Sequence, residues 1–306
     1  MGKGIAIITD GGSDLGPADA ARLGVHVLPV RMVFPDGTET DSNRFSSGDF
    51  WERLLADYTN LPKTAQPTPF DFQAEFQRFA DDGYDGVIAI TMSNGLSGTF
   101  DTAVVAAQDA PLPVRVINSR AVSWPLSFLA AELVKAADAG LNLDQLVDFH
   151  RVLRESMEIY FVVDTLEYLV RGGRAGRAQA AIATALDIKP ILELQHDGVI
   201  EVAKKCRGRK KAFAKLATIA AGDAQSARAE GLDEYRYMVL NTDETEPALE
   251  LERACLDAGF TGQRLGLYQV GIVVGIYCGP GTSAFIYYRL PEYDDFRCTS
   301  GSTDAG

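Results

Sequence analysis

The chain has 306 residues, 46% of them hydrophobic, with 29 glycines and a formal net charge of −13. That length favours two domains with a sizeable buried interior. The acidity argues against nucleic acid, whose phosphates would be repelled, and against a permanent anionic membrane surface, leaving only a transient membrane contact open.

The N-terminus, Met1-Gly2-Lys3-Gly4, runs straight into a strand pattern and offers no signal-peptide core, so a cytoplasmic location is expected. Residues 5–8 read as a short buried strand ending in Thr9-Asp10-Gly11-Gly12-Ser13-Asp14, with a helix opening at Pro17, where a missing N–H costs nothing. A second strand is expected over 25–30, a turn at Pro35-Asp36-Gly37, and a helix over 50–58 capped by Ser46 or Ser47. The polar loop Lys63-Thr64-Ala65-Gln66-Pro67-Thr68-Pro69 leads into a helix over 70–79 carrying Phe72, Phe76 and Phe79 at helical spacing. Next come a strand over 87–90, the loop Ser93-Asn94-Gly95-Leu96-Ser97-Gly98-Thr99 and a helix over 100–108. A strand over 114–117 then leads through Asn118-Ser119 to helices over 121–139 and 143–157. Alternating strands and helices imply a parallel sheet covered on both faces, with ligands at the carboxyl ends of its strands.

Beyond 161–163 the pattern changes. A short helix over 165–171 is closed by Gly172-Gly173, and Asp197-Gly198 marks a hairpin between strands at 189–194 and 199–203. A helix over 204–221, a strand over 235–240, a helix over 247–258, and strands over 265–277 and 283–290 complete an α+β half with a mixed sheet. The expected organisation is an N-terminal α/β domain over 1–157, a C-terminal α+β domain over 158–298, and a flexible tail over 299–306.

The segment Ser93 to Thr99 carries the most chemistry. Glycines let backbone approach a ligand, and N–H groups of a first helical turn favour an anion; a plain helix cap on Ser97 or Thr99 is the equal alternative. Walker A requires a lysine that this loop lacks, and G-x-G-x-x-G is absent after Ile8. Gly95-Leu96-Ser97-Gly98-Thr99 nearly spells a nucleophile elbow, but Thr99 fills the last glycine position and His26, His150 and His196 are poorly placed to serve as base. Asp10, Asp14 and Asp41 are too few ligands for a hard cation, and Cys206, Cys255, Cys278 and Cys298 form no CxxC pair, so neither metal nor disulfide is expected. The run from Lys204 to Lys211, with Arg171, Arg174 and Arg177, reads as solvated charge or as a docking patch for an acidic or phosphorylated partner.

These motifs together resemble the DegV family, the fatty-acid-binding proteins that act as FakB subunits of bacterial fatty acid kinase. The resemblance is carried by Thr9-Asp10 with Asp14-Leu15, Thr64-Ala65-Gln66-Pro67, Ser93 with Leu96-Ser97-Gly98-Thr99, and Asn118-Ser119. In the second half it continues through Thr165-Leu166-Glu167-Tyr168-Leu169, Gly172-Gly173-Arg174, Ile188-Lys189-Pro190-Ile191-Leu192 and Gly279-Pro280-Gly281. It implies a two-domain α/β protein holding one long-chain fatty acid in a pocket between the domains, without cofactor, metal or catalysis of its own. Thr64 and Ser97 are the implied carboxylate ligands, with Ser93, Ala65 and Gly98 beside them. A separate fatty acid kinase subunit, for which Arg174, Arg207 and Tyr277 are candidate docking residues, would then form an acyl phosphate for phospholipid synthesis. Gly11, Ala65 and Asn118 depart from the family's usual serine, serine and aspartate, and Tyr277 stands where many members have histidine. Two alternatives stay open: an acyl hydrolase with Ser97 as nucleophile, and a regulatory lipid-binding module with no kinase partner.

Overall fold

The computed structural model describes residues 2–42, 50–51, 61–179, 188–232 and 234–297. The helix expected over 50–58 is seen at Phe50 and Trp51; its cap and the tail from 299 lie outside the described residues. The chain divides into two compact units, one comprising Met1–Arg44, Lys63–Glu155 and Pro291–Gly306, the other Phe45–Pro62 and Ser156–Leu290.

The first unit runs β1 (Ile5–Asp10), a 3-10 turn (Gly11–Ser13), α1 (Pro17–Leu23), β2 (Val25–Leu28), β3 (Arg31–Val33), β4 (Glu39–Asp41), β5 (Lys63–Ala65), α2 (Pro69–Asp81), β6 (Gly86–Thr91), α3 (Thr99–Ala107), β7 (Val114–Asn118), α4 (Trp124–Asp138) and α5 (Leu143–Glu155). Four strands form one parallel sheet in the order β2-β1-β6-β7. Alternate residues of its strands take opposite faces. One face, Ala6, Ile8, Val87 and Ala89, packs with Phe72, Phe76 and Phe79 of α2 and Ala103 and Ala106 of α3. The phenylalanine stripe is therefore the inner face of α2, which starts with a capping box between Thr68 and Asp71. The helix α4 packs on β1. A second, antiparallel sheet, β4-β3-β5, was not expected; it turns the first part of the Thr64 loop into a strand.

The second unit runs β8 (Glu158–Val162), α6 (Glu167–Arg171), β9 (Ile188–Leu194), β10 (Ile200–Arg207), α7 (Arg209–Ala229), β11 (Tyr235–Asn241), α8 (Thr245–Asp257), β12 (Gly262–Gln269), α9 (Ile272–Cys278) and β13 (Ser283–Tyr288). Its sheet is mixed, in the order β10-β9-β8-β13-β11-β12, with β11 and β12 parallel and the remaining pairs antiparallel. An aromatic layer of Tyr237, Phe260, Phe285 and Tyr287 fills its core.

Two further elements differ from the sequence expectation. Residues 204–207, expected to be helical, extend β10, because Lys204 to Arg207 pair in register with β9 past a bulge after Val202. The helix begins only after Gly208, whose φ of 75° a side chain would resist, and it continues to Ala229. The β-branched run after Gly271 is helix α9 rather than strand. Its buried Ile272, Val273 and Ile276 fall on one helical stripe, and Gly275 lies where a Cβ would come 3.0 Å from the Trp51 ring. Burial against that ring outweighs the β preference of valine and isoleucine. The same contact explains why Phe50 and Trp51 belong to the second unit. A last helix, α10 (Asp294–Arg297), returns to the first unit, where Phe149 packs at a tilt against Tyr293 and edge-to-face against Phe296, and Tyr293 donates to Glu132.

Candidate functional site

The carboxyl ends of β1, β6 and β7 gather three loops. Met92 and Ser93 follow β6; the Ser93 N–H donates to the Ala121 carbonyl at 2.8 Å, and the Ser119 N–H donates to the Thr91 carbonyl at 3.1 Å. Ser93 itself is fully buried and organises the turn after it. Its carbonyl accepts the N–H groups of Leu96 (3.0 Å) and Ser97 (3.1 Å), and its hydroxyl accepts the Gly95 N–H at 3.1 Å. Ser93 is thus an architect of the loop. Asn94 and Asn118 lock the β6 and β7 loops together: the Asn118 amide donates to the Asn94 side chain at 2.8 Å, and its oxygen accepts from the backbone of Asn94 and Arg120.

Ser97 is half-buried at the mouth of α3. The N-cap is Gly98, not Ser97 or Thr99. The Ser97 hydroxyl instead accepts the Thr99 N–H at 3.3 Å and lies 2.8 Å from the buried Thr99 hydroxyl. That pairing holds one rotamer of Ser97 beside the helix N-terminus, where the macrodipole favours negative charge.

Thr64 sits in the middle of β5, opposite Met32 of β3. Two residues on, the Gln66 amide donates to the Thr102 hydroxyl of α3 at 2.7 Å, and a Cβ on Gly98 would lie 2.8 Å from the Gln66 side-chain oxygen. The strand carrying Thr64 is therefore tied to the loop carrying Ser97 and Gly98, and exposed Ala65 lies between Thr64 and the tie. Gln66 escaped the sequence reading as a structural member of this group; its place between Ala65 and Pro67 in the recognised motif was the available signal.

The N-terminal loop contributes Asp10. Its fully buried carboxylate accepts the Gly12 N–H at 2.8 Å and the Met92 N–H at 2.8 Å. Burial, only partly offset by these two bonds, pushes its carboxyl up to about 6. Gly11 has a steric reason: a Cβ there would lie 2.7 Å from the Val30 nitrogen and 2.5 Å from the Ser42 hydroxyl. Ser42 occupies that space and accepts the Val30 N–H at 3.3 Å. Asp14 accepts a hydrogen bond from the Ser123 hydroxyl.

The histidines stand apart from Ser97 in their described contacts. His26 lies edge-on to Phe79 with ring centroids 4.7 Å apart, and burial and then Arg78 hold it below the usual imidazole range. His150 is fully buried in α5; burial, then Arg120 and Arg154, pushes it down to about 3. His196 pairs with Glu158 in the second unit at 3.4 Å. No group of three or more His, Cys, Asp or Glu among the described residues is placed to hold a metal ion.

In the second unit, Arg174 and Tyr277 come together. The Arg174 guanidinium lies 4.9 Å from the centre of the Tyr277 ring and donates to the Gly172 carbonyl at 2.7 Å. Tyr277 in turn lies so close to Gly172 that a Cβ there would fall 2.3 Å from its ring, and Gly279 meets the Tyr168 ring at the same distance. Two glycines thus seat two tyrosines where α6 and α9 meet. Arg207, exposed, ends the edge strand β10 opposite Ile188.

Fold and site together define an α/β protein of two units, one of them a parallel sheet with a hydroxyl-bearing, anion-suited loop cluster at its carboxyl edge. The model of the DegV family, a family of uncharacterised proteins, matches residues 4–290. A DegV domain-containing protein of Streptomyces coelicolor is 34% identical over 281 residues, spanning 92% of this chain and 97% of the relative. One from Halalkalibacterium halodurans is 31% identical, spanning 93% and 98%. Among solved structures, a fatty-acid-binding DegV family protein from Thermus thermophilus is 30% identical with a TM-score of 0.82, covering 94% of this chain and all of that one. DegV of Bacillus subtilis, a fatty acid binding protein, is 25% identical with a TM-score of 0.81, covering 94% of this chain and 99% of that one. The chain belongs to the DegV family.

Proposed function

We propose that this protein is a carrier that holds one long-chain fatty acid by its carboxylate on the Thr64 and Ser97 loops. It presents that carboxylate to a separate fatty acid kinase subunit, which converts it to an acyl phosphate for phospholipid synthesis in the cytoplasm. The observation that carries the reading is the tie from Gln66 to Thr102 and Gly98, which holds the two hydroxyl-bearing loops together at the sheet's carboxyl edge. The solved relatives from Thermus thermophilus and Bacillus subtilis, each a fatty-acid binder, support the ligand class.

The chemistry is consistent with this role. Each buried CH₂ contributes about 0.8 kcal/mol, so the tail supplies most of the affinity. The head group needs orientation and enough donors to offset its lost water. Neutral hydroxyl and N–H donors leave the carboxylate nucleophilic, as attack on a phosphoryl group demands. Hydrolysis by Ser97 fits less well: its described partner is the Thr99 hydroxyl and N–H, and the three histidines have described contacts elsewhere.

Arg174, Arg207 and Tyr277 are the candidate kinase-docking residues. Tyr277 also favours a second reading, a regulatory lipid-binding module, because its ring is engaged by Arg174. Denaturing mass spectrometry of the purified protein should release a long-chain acid in near-stoichiometric amount. An empty protein that also ignores added oleate and palmitate sinks the carrier reading. Acyl phosphate formation with a cognate kinase and ATP decides between presentation and regulation.

A further inference from the structure

Among the described residues, Asp10 is the fully buried acid of the loop cluster described above, and it joins two loops. Its carboxylate takes the N–H of Gly12, inside the 3-10 turn after β1, and the N–H of Met92, the residue before Ser93. Ser93 then gathers the N–H groups of Gly95, Leu96 and Ser97. The charge on Asp10 therefore stands one residue from the turn that presents Ser97.

We propose that Asp10 is a positioning residue for the Ser93–Ser97 turn, and that it takes up a proton when a carboxylate ligand binds there. The inference rests on the reading of that turn as a carboxylate site. Its physical basis is like-charge repulsion in a buried place. Opposite Asp10, β2 presents Leu28, and the adjoining strand β6 ends in Thr91. The 3-10 turn brings Gly11, Gly12 and Ser13, and the β4 end brings Ser42 against Gly11. The nearby acid Asp14 is engaged by Ser123, and Arg31 and Asp41 oppose each other across β3 and β4. Among the described residues, burial and the two N–H bonds are the causes acting on Asp10. At an effective dielectric of about 20, a like charge on the order of 10 Å from a carboxyl group moves its titration by about one unit, or about tenfold in affinity. The protonated form then binds the ligand more tightly, so occupancy rises as pH falls from 8 to 6.

The test is titration calorimetry of the full chain with decanoate, which is ionised in solution over that range, in two buffers of different ionisation enthalpy. The wild type should take up about half a proton per ligand near pH 6.5, almost none at pH 8, and bind several-fold more tightly at pH 6. In the Asp10→Asn protein the uptake should vanish and the amide protons of Leu96 and Ser97 should exchange faster. If that variant does not fold, the Asp10 carboxyl ¹³C titration in aspartate-labelled wild type, with and without decanoate, gives the same answer: its midpoint should rise on binding. Decanoate binding with equal affinity at pH 6 and 8, no proton uptake and an unmoved midpoint overturns the role of Asp10 and leaves the fatty-acid reading standing. Absence of decanoate and oleate binding at every pH overturns both.

Discussion

On the proposed carrier reading, the hydroxyls of Thr64 and Ser97 and the carboxylate of Asp10 do different work, and single substitutions separate them. Ser97 and Thr64 are half-buried, and the described bonds of Ser97 stay within its own turn. Removing either hydroxyl should leave the thermal midpoint nearly unchanged while weakening oleate binding about tenfold, the worth of a hydrogen bond to a charged group of about 1.5 kcal/mol. Fluorescence displacement alongside thermal melts measures both quantities. An affinity unchanged in both variants would show that the carboxylate sits elsewhere. Asp10 should act on stability. Its folded carboxyl titrates at about 6 against an ordinary value of 3.8, so the folded state holds the proton more tightly than the unfolded chain. The sign follows: this group's contribution is most favourable below about pH 4 and is lost as pH rises through about 6, a change of about 3 kcal/mol. Denaturant unfolding between pH 4 and 7 should show that decline in the wild type and its absence in Asp10→Asn, against whatever slope the other carboxylates impose.

At the scale of elements, much of the fold was legible because its signals are local. The Phe72, Phe76 and Phe79 stripe specified α2, Pro17 opened α1, and Asp197-Gly198 marked the hairpin between β9 and β10. The elements that misled are those decided by distant partners. Nothing local distinguishes Lys204 to Arg207 from a helix start; pairing with β9 does. The run from Ile272 to Ile276 has strand propensity and becomes helix because Trp51, far off in sequence, lies against it. In the site, the glycine–hydroxyl loop was visible as an anion candidate, but Gln66 as the tie and Asp10 as the buried link depend on contacts between loops that periodicity does not encode. The seat of Tyr277 on Gly172 is a contact of the same kind, and it gives an element-level prediction. Gly172→Ala would drive a methyl into the ring, where overpacking costs about 1–3 kcal/mol. Adding Tyr277→Ala removes the obstacle, so the double variant should be less destabilised than the sum of the singles, a coupling measurable by urea unfolding. Strict additivity would mean that α6 and α9 relax independently.

On the scale of the whole molecule, the charge distribution poses the last question. Asp and Glu number 42 against 29 Lys and Arg, yet exposed Lys204, Lys205, Arg207, Lys210 and Lys211 crowd one end of β10 and the start of α7. The strand β10 is the outer strand of its sheet, and lysines on such a strand commonly serve to block edge-to-edge pairing. They also make a strongly basic strip on an acidic chain, suited to steering an acidic partner at low salt. Reversing Lys204, Lys205 and Arg207 to glutamate distinguishes these roles. None of the three lies in the Thr64 or Ser97 loops, so oleate affinity should stay within about twofold, as expected for exposed surface substitutions. If the strip docks the kinase, the KM of the kinase for the loaded carrier should rise about tenfold or more, with kcat little changed. The wild-type KM should also climb with salt as the Debye length shrinks from about 10 Å to about 3 Å between 0.1 and 1 M. If the strip only guards the edge, kinase kinetics should be unmoved, because glutamate at an edge deters pairing as lysine does. A variant that binds oleate normally and turns over normally would therefore assign the basic strip to solubility and return the docking question to Arg174 and Tyr277, whose contact lies at α6 and α9 rather than on β10.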